Sequence, residues 1–296
     1  MSIVKSLAVG NGDMFYIRHG ADSFSVIDCC LPDDREDEIL NEIETQHANK
    51  TIRRFISTHP DQDHISGLAS FDDRFPIVNF YAVKNGATKS EETEDFRRYK
   101  SLRDDSKKAY YLKEGCQRKW LNESDGARRS AGINILWPIL TNEDFKAALE
   151  QAEDGGSPNN TSPIIRYSLN GGASVLWMGD LETDFMEAVE DDVTLQPSHI
   201  LFAPHHGRKS GRVPKSWLDK IDPTIIVVGQ APSSDLTYYD KWDTITQNSA
   251  GDIVFECLSG KTHVFVSSST YAVDFLTEES GVDNRHGCYY IGTFYT

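Results

Sequence analysis

The run Thr58-His59-Pro60-Asp61-Gln62-Asp63-His64 packs two histidines and two carboxylates into six consecutive positions, just after the apolar stretch Arg54-Phe55-Ile56-Ser57. So short a run can present four cation-binding side chains only where an extended strand breaks into a loop. His59 and Asp61 are two apart and project the same way from extended backbone. Asp63 and His64 follow where the chain turns, and can face a neighbouring position. Two further segments, Gly179-Asp180 and His205-His206-Gly207, also follow apolar runs and carry the same residue types. One such residue reads as a capping acid or a surface histidine. Together they read as one metal centre, because cations take histidine nitrogen and carboxylate oxygen where thiolates are absent. Two groups of ligands from one loop suit two ions, with a carboxylate such as Asp180 between them. The chemistry of such a centre is hydrolysis by a metal-bound water that loses its proton near neutral pH, while the ions neutralise charge on substrate oxygens.

The elements that must position these residues follow from periodicity. Ile3 to Val9, Met14 to Arg18 and Phe24 to Asp28 read as strands joined by the turns Gly10-Asn11-Gly12-Asp13 and His19-Gly20-Ala21-Asp22. Asp33 to Gln46 has Ile39, Leu40 and Ile43 at helical spacing with acids in its first turn. Thr51 to Thr58 is the strand that delivers His59. Ile164 to Leu169 and Ser174 to Met178 form a hairpin around Asn170-Gly171-Gly172, with Asp180 just past it. Ile200 to Ala203 is a buried strand ending at Pro204-His205-His206, and Asp252 to Leu258 with His263 to Val266 form a last hairpin. The α/β rhythm stops between 84 and 131, where Glu92 to Trp120 reads as one or two helices; the tail after Phe275 shows no strong pattern. Strand-rich halves, each with helices, imply two sheets sandwiched between helices. The expected organisation is a single domain over 1–296, with a helical, locally basic insertion at 84–131.

Composition bounds the answer. The chain has 296 residues, 39% hydrophobic and 26% charged, as in ordinary globular proteins. No apolar run approaches the ~18 residues needed to span a bilayer, and no signal peptide is evident at the N-terminus, so no membrane partner is expected. Five cysteines without a C-x-x-C pair indicate neither a disulfide framework nor a thiolate zinc site, and the expected compartment is the cytoplasm. The net charge of −16 argues against a surface broadly adhesive to nucleic acid. Residues 84–131 depart from that average: 13 Lys or Arg against 9 Asp or Glu. Their aromatic residues Phe96, Tyr99, Tyr110, Tyr111 and Trp120 are read as docking contacts rather than base-stacking platforms.

The ordered motifs resemble the metallo-β-lactamase fold superfamily, whose signature after a strand is H-x-H-x-D-H. More narrowly the chain is similar to the hydrolase domains of the ComEC-like branch, which carry H-x-D-x-D-H; here that is His59-Pro60-Asp61-Gln62-Asp63-His64. Val9-Gly10-Asn11-Gly12-Asp13, Val26-Ile27-Asp28-Cys29, Asn159-Asn160-Thr161-Ser162, Val175 to Glu182 and Ala203 to Ser210 match further elements of that branch. The resemblance implies a four-layer αββα sandwich of two mixed sheets. It implies one ion on His59 and Asp61 and a second on Asp63, His64 and either His205 or His206, with Asp180 bridging. Asp28 is expected to support rather than ligate. Two departures stand out: Asp61 replaces a histidine, and the isolated histidine usual between the first motif and the bridging acid is missing. The resulting oxygen-rich site suits Mn²⁺ or Mg²⁺ better than a three-histidine zinc site would, although Zn²⁺ remains a candidate for either of the one or two divalent ions.

Catalytic roles are expected for Asp63, which could orient the nucleophile, for Asp180, and for Lys209 and Ser162 as polar groups near the centre. Arg208, Lys209 and Ser210 could hold a phosphate. The expected function is a metal-dependent hydrolase, foremost a phosphodiesterase or nuclease acting on nucleic acid or a nucleotide, with a protein partner as a means of bringing the substrate. The alternatives are a hydrolase of another ester, thioester or lactam, and a non-catalytic subunit on a degenerate metal site.

Overall fold

The computed structural model describes all residues, 1–296. Its first sheet begins with β1 (Ser2–Ser6), β2 (Phe15–Arg18) and β3 (Ser23–Ile27), paired antiparallel. A two-residue strand β4 (Cys29–Cys30) leads to helix α1 (Glu36–His47), which crosses back to β5 (Ile52–Ile56), parallel to β3. Helices α2 (Gln62–Ile65) and α3 (Leu68–Arg74) connect to β6 (Phe80–Ala82), and α4 (Glu94–Asp104) connects to β7 (Ala109–Tyr111). Parallel neighbours need such crossovers, so the α1, α2–α3 and α4 connections are what allow β3, β5, β6 and β7 to lie side by side.

The second sheet opens with β8 (Ile133–Trp137), α5 (Glu143–Glu153) and the hairpin β9 (Ile164–Ser168) and β10 (Ser174–Trp177). Then α6 (Thr183–Ala188), β11 (Ile200–Phe202), α7 (Lys215–Ile221), β12 (Ile225–Val228) and β13 (Thr244–Thr246) extend it in parallel. A short α8 (Gln247–Ala250) returns the chain to the first sheet, where β14 (Ile253–Cys257), β15 (Lys261–Val266) and β16 (Tyr289–Tyr295) complete nine strands, ordered β16-β15-β14-β1-β2-β3-β5-β6-β7.

Strand alternation shows why there are four layers. Along β2, Phe15 and Ile17 join the core between the sheets while Tyr16 joins the core on the outer face with α1, α3 and α4. Both faces are covered, so β10, β11 and β12 are buried throughout and read as continuous apolar runs. Helices α5, α6 and α7 cover the second sheet through Phe145, Met186, Trp217 and Ile221. The result is the α/β sandwich of two mixed sheets between helix layers.

Two segments add strands that their sequence-based reading lacked. Residues 84–131, read as one or two helices, hold one, and it is followed by β7, the edge strand of the first sheet. Phe96, Tyr99 and Leu102 of α4 are fully buried, because that helix covers β6 rather than standing clear of it. The tail contains β16, which pairs antiparallel with β15. As an edge strand it is only partly buried, so its sequence lacks a strong apolar alternation. All five cysteines are free thiols, and no helix is long and apolar enough to cross a membrane.

Candidate metal centre

The carboxyl ends of β3, β5, β10 and β11 meet at one edge of the sandwich, the place where open α/β sheets present ligand sites. They deliver Asp28, the His59–His64 run, Asp180, and His205 with His206. Asp180 is buried at the middle. One of its oxygens, Oδ1, lies 3.1 Å from His64 Nε2. The other, Oδ2, lies 3.8 Å from His59 Nε2, 3.7 Å from His205 Nε2 and 3.8 Å from His206 Nε2. Asp63 Oδ2 is 3.5 Å from His206 Nε2, and Asp61 Oδ2 is 4.0 Å from His59 Nε2.

Three of the four histidines are hydrogen-bonded through Nδ1. Asp28 accepts from the Thr58 amide at 2.7 Å, from the Thr58 hydroxyl at 2.6 Å and from His64 Nδ1 at 2.9 Å. The Thr58 hydroxyl has spent its proton on Asp28, so it can only accept from His59 Nδ1, 3.0 Å away. One buried carboxylate thus fixes two tautomers and leaves both Nε2 lone pairs facing the centre. His206 Nδ1 is 3.2 Å from Asp13, and His205 Nδ1 is 3.0 Å from the Ser210 hydroxyl.

Consecutive residues on a strand point to opposite faces, yet His205 and His206 both face inward. They do so because both adopt left-handed backbone, φ 52° and 56°, ahead of Gly207 at 84°. Non-glycine residues there cost roughly 1–2 kcal/mol each, strain of the kind concentrated at functional sites. The sequence left the choice between the two histidines open; the structure brings both to Asp180.

His59 Nε2, His64 Nε2, His206 Nε2 and Asp180 Oδ1 are buried and make no hydrogen bond, the 3.1 Å pair being poorly aligned for one. Buried polar atoms without partners are costly, and four of them around one point fit a bound cation. Asp13, His64, Asp180 and His206 alone offer four donor atoms within 4.8 Å of one another. The donor set, imidazole and carboxylate without thiolate, suits a divalent ion.

Without an ion, protons take its place. Burial opposes charge on His64, but Asp180 and Asp28 outweigh it and raise its pKa well above the usual value. Burial likewise opposes charge on His206, yet Asp13, Asp63 and Asp180 raise it to about 10. Asp63 is lowered to about 2, because His206 and His64 overcome its burial. His59 goes the other way, pushed well below the usual value by burial and by His64. For His206 the stabilisation is complete below pH ~6.5 and is lost as pH rises towards 10; for Asp63 it is complete above pH ~4 and is lost towards 2. The ion-free chain should therefore be most stable between about pH 4 and 6.5, and metal affinity should rise with pH as those protons leave. Melting temperatures in EDTA that stay flat from pH 6 to 10 would contradict this.

Other expected site residues stand further out. Ser162 is buried behind the centre; its hydroxyl lies 3.3 Å from His59 Nδ1 and accepts from the Asp180 amide at 3.2 Å. It braces two members of the site, His59 and Asp180, from behind. Lys209 is exposed on the rim, in a groove of about 780 Å³ shared with Arg208, Ser210, Arg212, Glu182 and Asp184. It touches none of the central groups.

Three contributors hold roles at the site that were not anticipated. Asp13 sits in a Gly-Asn-Gly-Asp turn and looks like an ordinary turn acid, but that turn is pressed onto the metal loop: a Cβ on Gly12 would lie 2.5 Å from the Asp63 carbonyl oxygen. Lys89, from the 84–131 segment, donates to Asp61 at 2.7 Å and brings a cation to the mouth of the site. Ser210 anchors His205. Asp13 and Ser210 stood in matched motifs, Ser210 with a different expected role, and Lys89 carried no signal. Replacing Asp28 by asparagine should weaken metal binding roughly 10–100-fold by releasing the His59 and His64 tautomers, measured by competition with a chromophoric chelator.

Set against known families, residues 7–213 match the metallo-β-lactamase superfamily. No curated protein matches the chain. Among solved structures it is similar to CmlA, a diiron β-hydroxylase from Streptomyces venezuelae, with 12% identity and a TM-score of 0.43. That likeness covers 77% of this chain and 44% of CmlA, so the chain spans less than half the length of that protein. It is also similar to a diphosphatase of the PhnP family, with 14% identity and a TM-score of 0.39 over 78% of this chain and 86% of that one. A Thermotoga maritima protein of the metallo-β-lactamase superfamily shares 10% identity over 81% and 84% of the two chains, with a TM-score of 0.32. The match over most of the length, with the sandwich and the histidine–aspartate centre at its edge, establishes that the chain belongs to the metallo-β-lactamase superfamily.

Proposed function

We propose that the protein is a metal-dependent phosphodiesterase, acting as a nuclease of the ComEC-like kind on nucleic acid or a nucleotide. The observation that carries this reading is the donor set around Asp180: four imidazole Nε2 atoms accompanied by Asp61 and Asp63, richer in oxygen than a three-histidine zinc site. His59, Asp61 and His205 would hold one divalent ion and Asp63, His64 and His206 the other, with Asp180 between; Mn²⁺ is the favoured metal, with Mg²⁺ and Zn²⁺ as competitors. Bound there, a divalent cation supplies Lewis acidity that acidifies water and offsets charge on phosphate oxygens.

The chain's own residues do the rest. Asp28 and Thr58 keep His59 and His64 in the tautomers that face inward. Asp63, an anion at neutral pH, would accept a hydrogen bond from a nucleophilic water and so orient it. Arg208 and Lys209 line the groove beside His205 and would take a phosphate oxygen of the substrate. The reading also includes a single domain carrying the 84–131 insertion, and a cytoplasmic location consistent with five free thiols.

The test is hydrolysis of bis(p-nitrophenyl) phosphate and a short single-stranded oligonucleotide with Mn²⁺, Mg²⁺ or Zn²⁺, beside p-nitrophenyl acetate. Metal-dependent phosphodiester cleavage, lost in Asp63→Ala and weakened about tenfold by Arg208→Ala with Lys209→Ala, is expected. Esterase activity indifferent to those two arginine and lysine changes, with no phosphodiester cleavage, would favour the ester or lactam reading instead. Cleavage by Asp63→Ala at the wild-type rate would sink the proposal.

A further inference from the structure

A second cationic site lies at the opposite end of β5 from the metal loop. Its cavity, about 370 Å³, is walled by Tyr81, Arg118, Lys119, Trp120 and Arg128, with Ile52 at its edge. Ile52 and His59 are seven residues apart on near-extended chain, roughly 20 Å. Three of the cavity's eight lining residues are cations from the locally basic 84–131 segment, in a protein of net charge −16.

Behind that wall is Arg54, 4% exposed and without a carboxylate partner. Its guanidinium donates to the Ser25 hydroxyl at 3.0 Å and to the Trp120 carbonyl at 2.8 Å, while its Nε is buried with no partner. Burial lowers its pKa; the Tyr81 hydroxyl offsets part of that, and neighbouring Arg118 adds a smaller lowering. Arg54 and Arg118 both lie over the Tyr81 ring, at 6.0 and 5.4 Å, and Arg118 also stacks on Tyr110 at 4.3 Å. Arg128 lies 5.0 Å over Trp120. Buried charge is normally paired, and like charges so placed repel. Two acids lie near the rim and offset part of this charge without forming an ion pair: Asp125, which accepts from Trp120 Nε1 and the amides of Ala127 and Arg128 and feels Lys119, and Asp22, which accepts from the amide and hydroxyl of Thr51 and feels Arg128. None of Arg54, Arg118, Lys119 and Arg128 takes part in an ion pair, whereas the one other buried arginine, Arg103, pairs with Asp104.

We propose that this pocket binds a phosphate-bearing ligand, with Arg118, Lys119 and Arg128 contacting the phosphates, Trp120 offering a ring face, and Arg54 adding its field from below. The chemistry is that of a phosphate group, whether carried by a nucleic-acid strand or by a free nucleotide or pyrophosphate. The site is separate from the metal centre and stands whether or not the centre cleaves phosphodiesters.

Binding of a fluorescein-labelled oligothymidylate to the full chain, followed by anisotropy in EDTA so that the strand stays intact, tests this. Arg118→Gln with Arg128→Gln should weaken binding at least ~10-fold and flatten its log–log salt dependence by roughly 0.7 for each phosphate no longer neutralised, while Asp63→Asn leaves binding unchanged. Displacement by ATP or pyrophosphate would identify a free phosphate compound as sufficient; displacement only by unlabelled strand would identify nucleic acid. Because Arg118 also packs on Tyr110, the exposed pair Lys119→Glu and Arg128→Glu, with folding checked by circular dichroism, provides a second route to the same weakening. No binding of strand, ATP or pyrophosphate would overturn the proposal, as would binding abolished in Asp63→Asn but kept in both double variants.

Discussion

Replacing Asp180 by asparagine should lower hydrolysis at least ~10³-fold, about 4 kcal/mol of lost transition-state stabilisation, and should strip most of the bound metal. The size of the effect follows from position. Its two oxygens lie 3.1–3.8 Å from the Nε2 atoms of four histidines, so one carboxylate is shared by every nitrogen donor in the site. Asparagine keeps the shape but loses the charge and offers a single oxygen acceptor. Asp180 is itself held well below the ordinary carboxylate range, since His64, His59 and His206 outweigh its burial. The ion-free variant should therefore also lose stability at neutral pH, and thermal denaturation with and without EDTA separates that loss from the loss of metal. Wild-type activity in Asp180→Asn would show that the reacting groups lie elsewhere.

Gly179→Ala should be nearly as damaging, without touching a ligand. Gly179 lies two residues past β10 with φ 52°, and a Cβ there would meet the Ser162 Oγ at 2.6 Å, the Ser162 Cβ at 2.8 Å and the Thr58 Cβ at 2.9 Å. Ser162 and Thr58 are the two residues that brace His59, so relief of the clash must move the histidine, Asp180 or both. Overpacking of a filled core costs roughly 1–3 kcal/mol, and forced left-handed backbone adds about 1 more. A melting temperature lowered by several degrees and a metal affinity lowered at least ~10-fold are expected. An alanine variant with unchanged melting and metal binding would show that the junction is slack.

What could be read from the residues alone depended on whether the information was local. The His59–His64 run shows itself because four donors fall on one strand end, and Asp180 and His206 because each follows a buried strand whose apolar run is plain. The sandwich was legible because strand and helix periods alternate cleanly from Ser2 to Ile56 and from Ile164 to Val228. Asp13 and Lys89 reach the centre only through tertiary packing, and nothing in a turn acid or an exposed lysine distinguishes them beforehand. The inward aim of both His205 and His206 depends on two left-handed residues, which a strand-period argument forbids. Ser162 looked like a polar group near the chemistry; burial against Gly179 turns it into a brace. The β16 strand was hidden because an edge position does not require an apolar face on both sides.

The most direct test is anomalous diffraction from crystals of the chain grown with Mn²⁺. Strong anomalous density enclosed by His59, His64, His205, His206 and the Asp180 carboxylate is the predicted result. Density at any other place, or none at this one with the metal in excess, would contradict a metal centre built around Asp180.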